Sequence, residues 1–142
     1  MRAVLDTNVV VSALIWGGKP LGLLQAAAEG DLLLYTSQAL LEELRDVLTR
    51  EHLAPRLERR RSSVEQALVF DAGLAVCVTP AAVLRIVPDD PDDDHGIAAA
   101  IAARADLIVS GDRHLLSLGG YGGIQIVNPD RAVAIIGGEN AR

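Results

Sequence analysis

Five short apolar runs, RAVLD, DLLLYTS, LAVCVTP, DLIVSGD and IQIVNPD, punctuate the chain, and helical patterns fill the intervals between them. Runs of this length, continuous rather than alternating, read as strands buried on both faces. Strands that return in the same direction need a crossover long enough for a helix. The chain is therefore expected to be α/β, with a mostly parallel sheet flanked by helices on both sides. Half of its residues are hydrophobic but only 3% are aromatic, so the core must be aliphatic.

The intervals carry their own punctuation. PLGLLQAAAEG reads as a helix, with Pro20 suited to its first turn and Gly30 to its C-terminal cap. Ser37 is a good N-cap for the next helix, whose apolar stripe is Leu40, Leu44, Val47 and Leu48. A charged helical stretch runs from about Ala54 to Gly73, DDHGIAAAIAARA is a further helix, and Asn128-Pro129 starts the last one. No repeat or low-complexity linker divides the 142 residues, which are read as one domain with a frayed GGENAR tail over residues 137–142.

The net charge is −6 and the isoelectric point near 4.9, which argues against sequence-independent nucleic-acid binding through a broad basic surface. A nucleic-acid substrate stays open, because bound divalent cations invert the local field. The single Cys77 excludes an intrachain disulfide and a cysteine-based zinc site. It suits a reducing, cytoplasmic location and is expected to be a small buried hydrophobe. No apolar run reaches the roughly 18 residues of a membrane helix. VVVSALIW, hemmed by Asp6, Asn8, Lys19 and Pro20, lacks the flanks of a signal peptide.

Residues 88–96, PDDPDDDHG, place five carboxylates between Asp89 and Asp94 with no lysine or arginine among them. A helix start accounts for one or two acids, each favoured by about 0.3–1 kcal/mol. Five need a solvated loop or a cation. A calcium loop of the EF-hand type fails on detail, since glycine falls one place late at Gly96 and Ile101 stands where a bidentate glutamate is needed. Asp6 and Asp112 each follow a predicted strand, and both should face the rim where parallel α/β sheets bind ligands. Either could instead be a helix cap or turn residue.

Helical geometry separates two neighbouring glutamates. Glu42 shares a solvent face with Gln38, Arg45 and Asp46, whereas Glu43 lies between Leu40 and Val47 on the apolar side. A carboxylate held there is costly unless something pairs with it. His95 and His114 are read as surface groups before they are read as bases. An oxygen-rich set suits Mg²⁺ or Mn²⁺ and not zinc.

Taken in order, VLDTNVVVSAL, TSQALLEELRDVL and DPDDDHGIAAAIAARADLIVSGDRHLL resemble the PIN-domain family, and more narrowly its bacterial members classed as toxins of toxin–antitoxin pairs. The resemblance spans nearly the whole chain. It implies a PIN-like, Rossmann-like three-layer sandwich and a metal-dependent endoribonuclease in which acids hold Mg²⁺ or Mn²⁺. Those acids are implied to be Asp6, Glu43, Asp93 and Asp112, with Asp90 and Asp94 as alternatives for the third. Asn8 matches the family's polar residue that steadies the first acid, and Ser110 stands where a Thr or Ser is common. Gly96 departs from a larger apolar residue and should loosen the helix start by about 1 kcal/mol.

The chemistry agrees with the resemblance: four ionised acids contribute −4, which two divalent ions would balance, and such ions lower the pKa of water and neutralise phosphate oxygens. Arg56, Arg59, Arg60 and Arg61 are candidate contacts for RNA or for a partner, and otherwise a solvated helix face. The implied partners are an RNA substrate, a small antitoxin and a second copy in a homodimer. A receiver or phosphatase fits poorly, because the only lysine is Lys19 and Asn8 stands where a phosphatase wants a second aspartate. A PIN fold kept for non-catalytic RNA or protein binding is the alternative reading.

Overall fold

The computed structural model describes residues 1–50, 53–59, 66, 70, 72–79 and 93–140. The elements in chain order are β1 (Arg2–Leu5), α1 (Thr7–Ile15), α2 (Gly18–Ala28), β2 (Leu33–Thr36), α3 (Gln38–Leu48), α4 (Ala54–Arg59) and β3 (Ala75–Cys77). There follow α5 (Asp93–Ala103), β4 (Leu107–Val109), α6 (Arg113–Leu118), β5 (Gly120–Tyr121), β6 (Ile124–Val127) and α7 (Pro129–Asn140). The sheet has six strands in the order β3-β2-β1-β4-β6-β5. All pairs are parallel except β5 with β6.

From β1 the chain steps outward to β2 and β3, then crosses back to β4 on the other side of β1 and continues to β6. The direction of winding reverses between β1 and β4. At their carboxyl ends the Asp6 N–H donates to the Val109 carbonyl at 2.9 Å, so the two strands finish side by side. A crevice between diverging crossovers is built into such an arrangement.

The sheet separates two cores with a period of two. Ala3 and Leu5 of β1 and Leu107 and Val109 of β4 pack with residues of α1, α2 and α7 and with Leu44, Leu48 and Leu57. Val4 and Ile108, on the opposite face, pack with Ile97, Ala99 and Ala100 of α5 and Leu115 of α6. This is the three-layer arrangement expected of the sequence. Helix α3 reaches both cores, through Leu44 and Leu48 on one side and Leu40 on the other.

Several local expectations need correction. Leu33 and Val76 are 51% and 57% exposed, so β2 and β3 are not buried along their length. Cys77 is exposed and not a core residue. The reason is position: β3 is the edge strand and only three residues long, and the far side of the sheet is reserved for β4 and β6. The β5–β6 hairpin was not anticipated; Gly122 and Gly123, at φ +57° and +87°, supply the left-handed turn it needs. Helix α7 is longer than the sequence suggested, running through Gly137 and Gly138 to Asn140.

Most of the remaining boundaries follow the residue chemistry. Ser37 Oγ accepts from the Leu40 N–H at the start of α3, and Asn128 Oδ1 accepts from Arg131 at the start of α7. Of the charged stretch from Ala54 to Gly73, α4 and scattered helical residues are described, and the rest lies outside the described residues. Among the described residues no single helix is long and apolar enough to cross a membrane; α1 and α2 are bent from each other by 98°.

Candidate active site

The rim at the carboxyl ends of β1 and β4 collects polar groups that the interior of the sheet excludes. Asp6 directly follows β1 and is 9% exposed. Its Oδ1 accepts from the Thr7 N–H at 2.8 Å, and its Oδ2 accepts from Ser110 Oγ at 2.9 Å. Ser110 follows β4 and is fully buried, and its Oγ also accepts from the Asp112 N–H at 3.0 Å. One hydroxyl therefore ties the acid after β1 to the backbone that carries the acid after β4. The Asp112 carboxylate accepts from the His114 N–H at 2.7 Å, which caps α6.

Thr7 extends the network to α3. Its backbone N–H holds Asp6 while its Oγ1 donates to Glu43 Oε2 at 2.9 Å. The other Glu43 oxygen, Oε1, lies 2.5 Å from His95 Nδ1 on the first turn of α5. An ionised carboxylate only accepts, so Nδ1 is the donor. Glu43 is 16% exposed in its side chain and His95 43%. The predicted inward orientation of Glu43 is what the structure has, whereas Glu42 faces solvent beside Gln38. The network thus runs from Asp112 through Ser110, Asp6, Thr7 and Glu43 to His95, joining β1, β4, α3 and α5.

Two residues add detail to those expectations. Asn8 is exposed, while Thr7 and Ser110 each donate a hydrogen bond to Asp6. The cause is helical phase: Asn8 sits on the outward side of α1, whose Thr7 and Val9 are turned inward. His95, read from the sequence as a surface group, contacts the buried-side glutamate. Its only signal in the sequence is its place two residues after Asp93, on the helix turn that faces Glu43.

Asp93 and Asp94 open α5, so the acidic run begins a helix as expected. Their side chains, and Asp89, Asp90 and Asp92 altogether, lie outside the described residues. Arg56 is part-buried and Arg59 exposed on α4, while Arg60 and Arg61 lie outside the described residues.

The donor set can be weighed against a divalent cation. Apart from His95 it offers only oxygens, from Asp6, Glu43, Asp112, Thr7 and Ser110, which suits Mg²⁺ or Mn²⁺ over zinc. Among the described residues no three His, Cys, Asp or Glu side chains are gathered closely enough to cage an ion. Mg²⁺ does not require such a cage: it keeps several waters and is held by one or two carboxylates with substrate phosphates. A carboxylate oxygen carries two lone pairs, so hydrogen bonding and metal coordination are compatible at one group. The residues present fit a hydrated ion at the rim.

Comparison with curated protein sequences gives no match. The model of one family, described as the PIN domain, matches residues 2–114, a span that includes β1 and β4, Asp6, Glu43, Asp112 and the helix that opens at Asp93. That span covers most of the chain, and the mostly parallel six-stranded sheet with helices on both faces agrees with it. The protein belongs to the PIN-domain family, a family of nucleases that generally use divalent metal ions.

Proposed function

We propose that this chain is a Mg²⁺- or Mn²⁺-dependent endoribonuclease, acting in the cytoplasm as the toxin of a toxin–antitoxin pair. The observation that carries the catalytic part is the nearly buried Asp6, linked through Thr7 to Glu43 and through Ser110 to the turn that bears Asp112. Acids placed along one rim of a chain of net charge −6 repel one another beyond what their capping bonds explain, and a bound cation would offset that repulsion. A bound divalent ion would supply an activated water and neutralise the non-bridging phosphate oxygens.

The residues assigned to that ion are Asp6, Glu43, Asp93 and Asp112. Thr7 and Ser110 fix the carboxylates in orientation before substrate arrives, so that little reorganisation is needed during reaction. His95 and Thr7 hold opposite oxygens of Glu43 and set the plane of its carboxylate. The toxin role, a homodimer and a small antitoxin covering the cleft rest on the sequence resemblance.

A second reading, a PIN fold kept for non-catalytic binding, has one observation in its favour. Asp6 and Asp112 each accept a hydrogen bond at the start of their own helix, a structural task that needs no metal. Incubation with a mixed RNA pool in Mg²⁺, Mn²⁺ or EDTA separates the two. Endonucleolytic cleavage with metal, lost in EDTA and in Asp6→Asn, is the expected result. RNA left whole in both metals by correctly folded protein would refute the enzymatic reading.

A further inference from the structure

The chain has one tryptophan, and Trp16 is 60% exposed. An aliphatic core with so few aromatics could have used this ring, so its place on the surface calls for a reason. Trp16 caps the C-terminus of α1, with its N–H still bonded to the Ser12 carbonyl at 2.8 Å. The helix is otherwise largely inside: Thr7, Val9, Val10, Val11, Ala13 and Ile15 are all buried.

What α1 shows to solvent is chiefly a line. Asn8 is exposed, Ser12 half-buried and Trp16 exposed, at a spacing of four residues that stacks them on one face. The line starts two residues from Asp6 and ends about 12 Å away, at 1.5 Å of rise per residue. At its far end the Arg56 guanidinium lies 4.4 Å from the centre of the Trp16 ring. Arg56 is presented firmly, because Leu53 and Leu57 on either side of it are buried in the core.

We propose that this ridge is the track for single-stranded RNA leaving the acid site, with a base stacking at Trp16 and a phosphate meeting Arg56 and Arg59. The proposal rests on the ribonuclease reading above and adds the substrate's path over this chain's own residues. A base offers a flat face to the indole, and the guanidinium stacked over the ring answers the phosphate that follows. Asn8 and Ser12 offer amide and hydroxyl groups to the backbone and 2′-OH between. Arg56 and Arg59 place positive charge here on a chain that is acidic overall, with Glu58 as the opposing charge between them. A duplex cannot splay a base onto the ring.

The lone tryptophan is its own reporter. A ten-nucleotide mixed-sequence RNA, end-labelled, is titrated in EDTA at low salt, reading label polarisation and Trp16 fluorescence together. Saturable quenching with the same midpoint as the polarisation is expected, and no quenching by the corresponding duplex. By polarisation, Trp16→Ala should weaken binding about tenfold and Trp16→Phe should retain most of it. Arg56→Ala should also weaken it, with Arg56→Lys between, since lysine keeps charge but not the planar stack. Melting curves confirm that the variants fold.

RNA that binds with Trp16 fluorescence unmoved, or equally well to Trp16→Ala, overturns the track and leaves the ring for a protein contact. Failure of the wild type to bind at tens of micromolar overturns it too. Cleavage of RNA by the wild type in Mg²⁺ or Mn²⁺ in either case leaves the ribonuclease reading standing, and its absence there removes that reading separately.

Discussion

Ser110→Ala isolates the joint between the two strand ends. The hydroxyl is fully buried, donates to Asp6 at 2.9 Å and accepts from the Asp112 N–H at 3.0 Å. Its removal deletes a hydrogen bond to a charged group, worth about 1.5–3 kcal/mol, and leaves a part-buried N–H without its acceptor, at about 1–3 kcal/mol. The two losses share one atom and do not add fully, so a destabilisation of about 2–4 kcal/mol is expected. For a chain of this length that lowers the melting temperature by about 8–15 °C. Calorimetry in EDTA measures it without interference from metal. Ser110→Thr, which retains the hydroxyl, should lose less than Ser110→Ala. A fall of under about 2 °C in Ser110→Ala would mean that water or a shifted backbone replaces the hydroxyl, and the argument for a rigid joint would be wrong.

Three further outcomes are expected. His95→Ala should weaken Mn²⁺ binding, measured by calorimetry, about tenfold or more, as loss of a group that orients a ligand typically does. His95→Asn, which keeps a donor near the Nδ1 position, should recover part of it, and equal affinity in all three proteins would deny His95 any hold on the site. Asp93→Asn should abolish metal-dependent cleavage and raise metal-free stability, Asp94→Asn, about 100° further round the helix, should keep measurable activity, and Asp92→Asn should be nearly silent; an inactive Asp94→Asn beside an active Asp93→Asn would shift the register by one. Gly96→Ala should raise the melting temperature by about 2–4 °C, since Gly96 is helical and a Cβ there would meet nothing within 4 Å; a lower melting temperature would show that α5 needs the glycine.

The sequence by itself determined the alternation of the five main strands with helices, though not the short β5, because continuous aliphatic runs and helical stripes of different period cannot exchange roles. It also placed Asp6 and Asp112 at strand ends and turned Glu43 inward, since both follow from local position and a single helical phase. Most of the caps, Ser37 and Asn128 among them, were legible because capping is a contact between near neighbours. Even Asp93 as a helix start could be read, from charge and from resemblance.

What only the tertiary structure decided is which of these groups meet. Ser110 lies 104 residues from Asp6 in sequence, Glu43 36 from Thr7 and His95 52 from Glu43. No local rule connects residues so far apart; the strand order does, by setting β4 beside β1 and α5 across from α3. The same order made β3 an edge and left Cys77 exposed, which composition had suggested would be buried. It also brought Thr7 and Ser110 to Asp6, and burial of α1 turned Thr7 inward and Asn8 out. Local periodicity sets which way a side chain leans, and only the packing of the layers sets what it leans against.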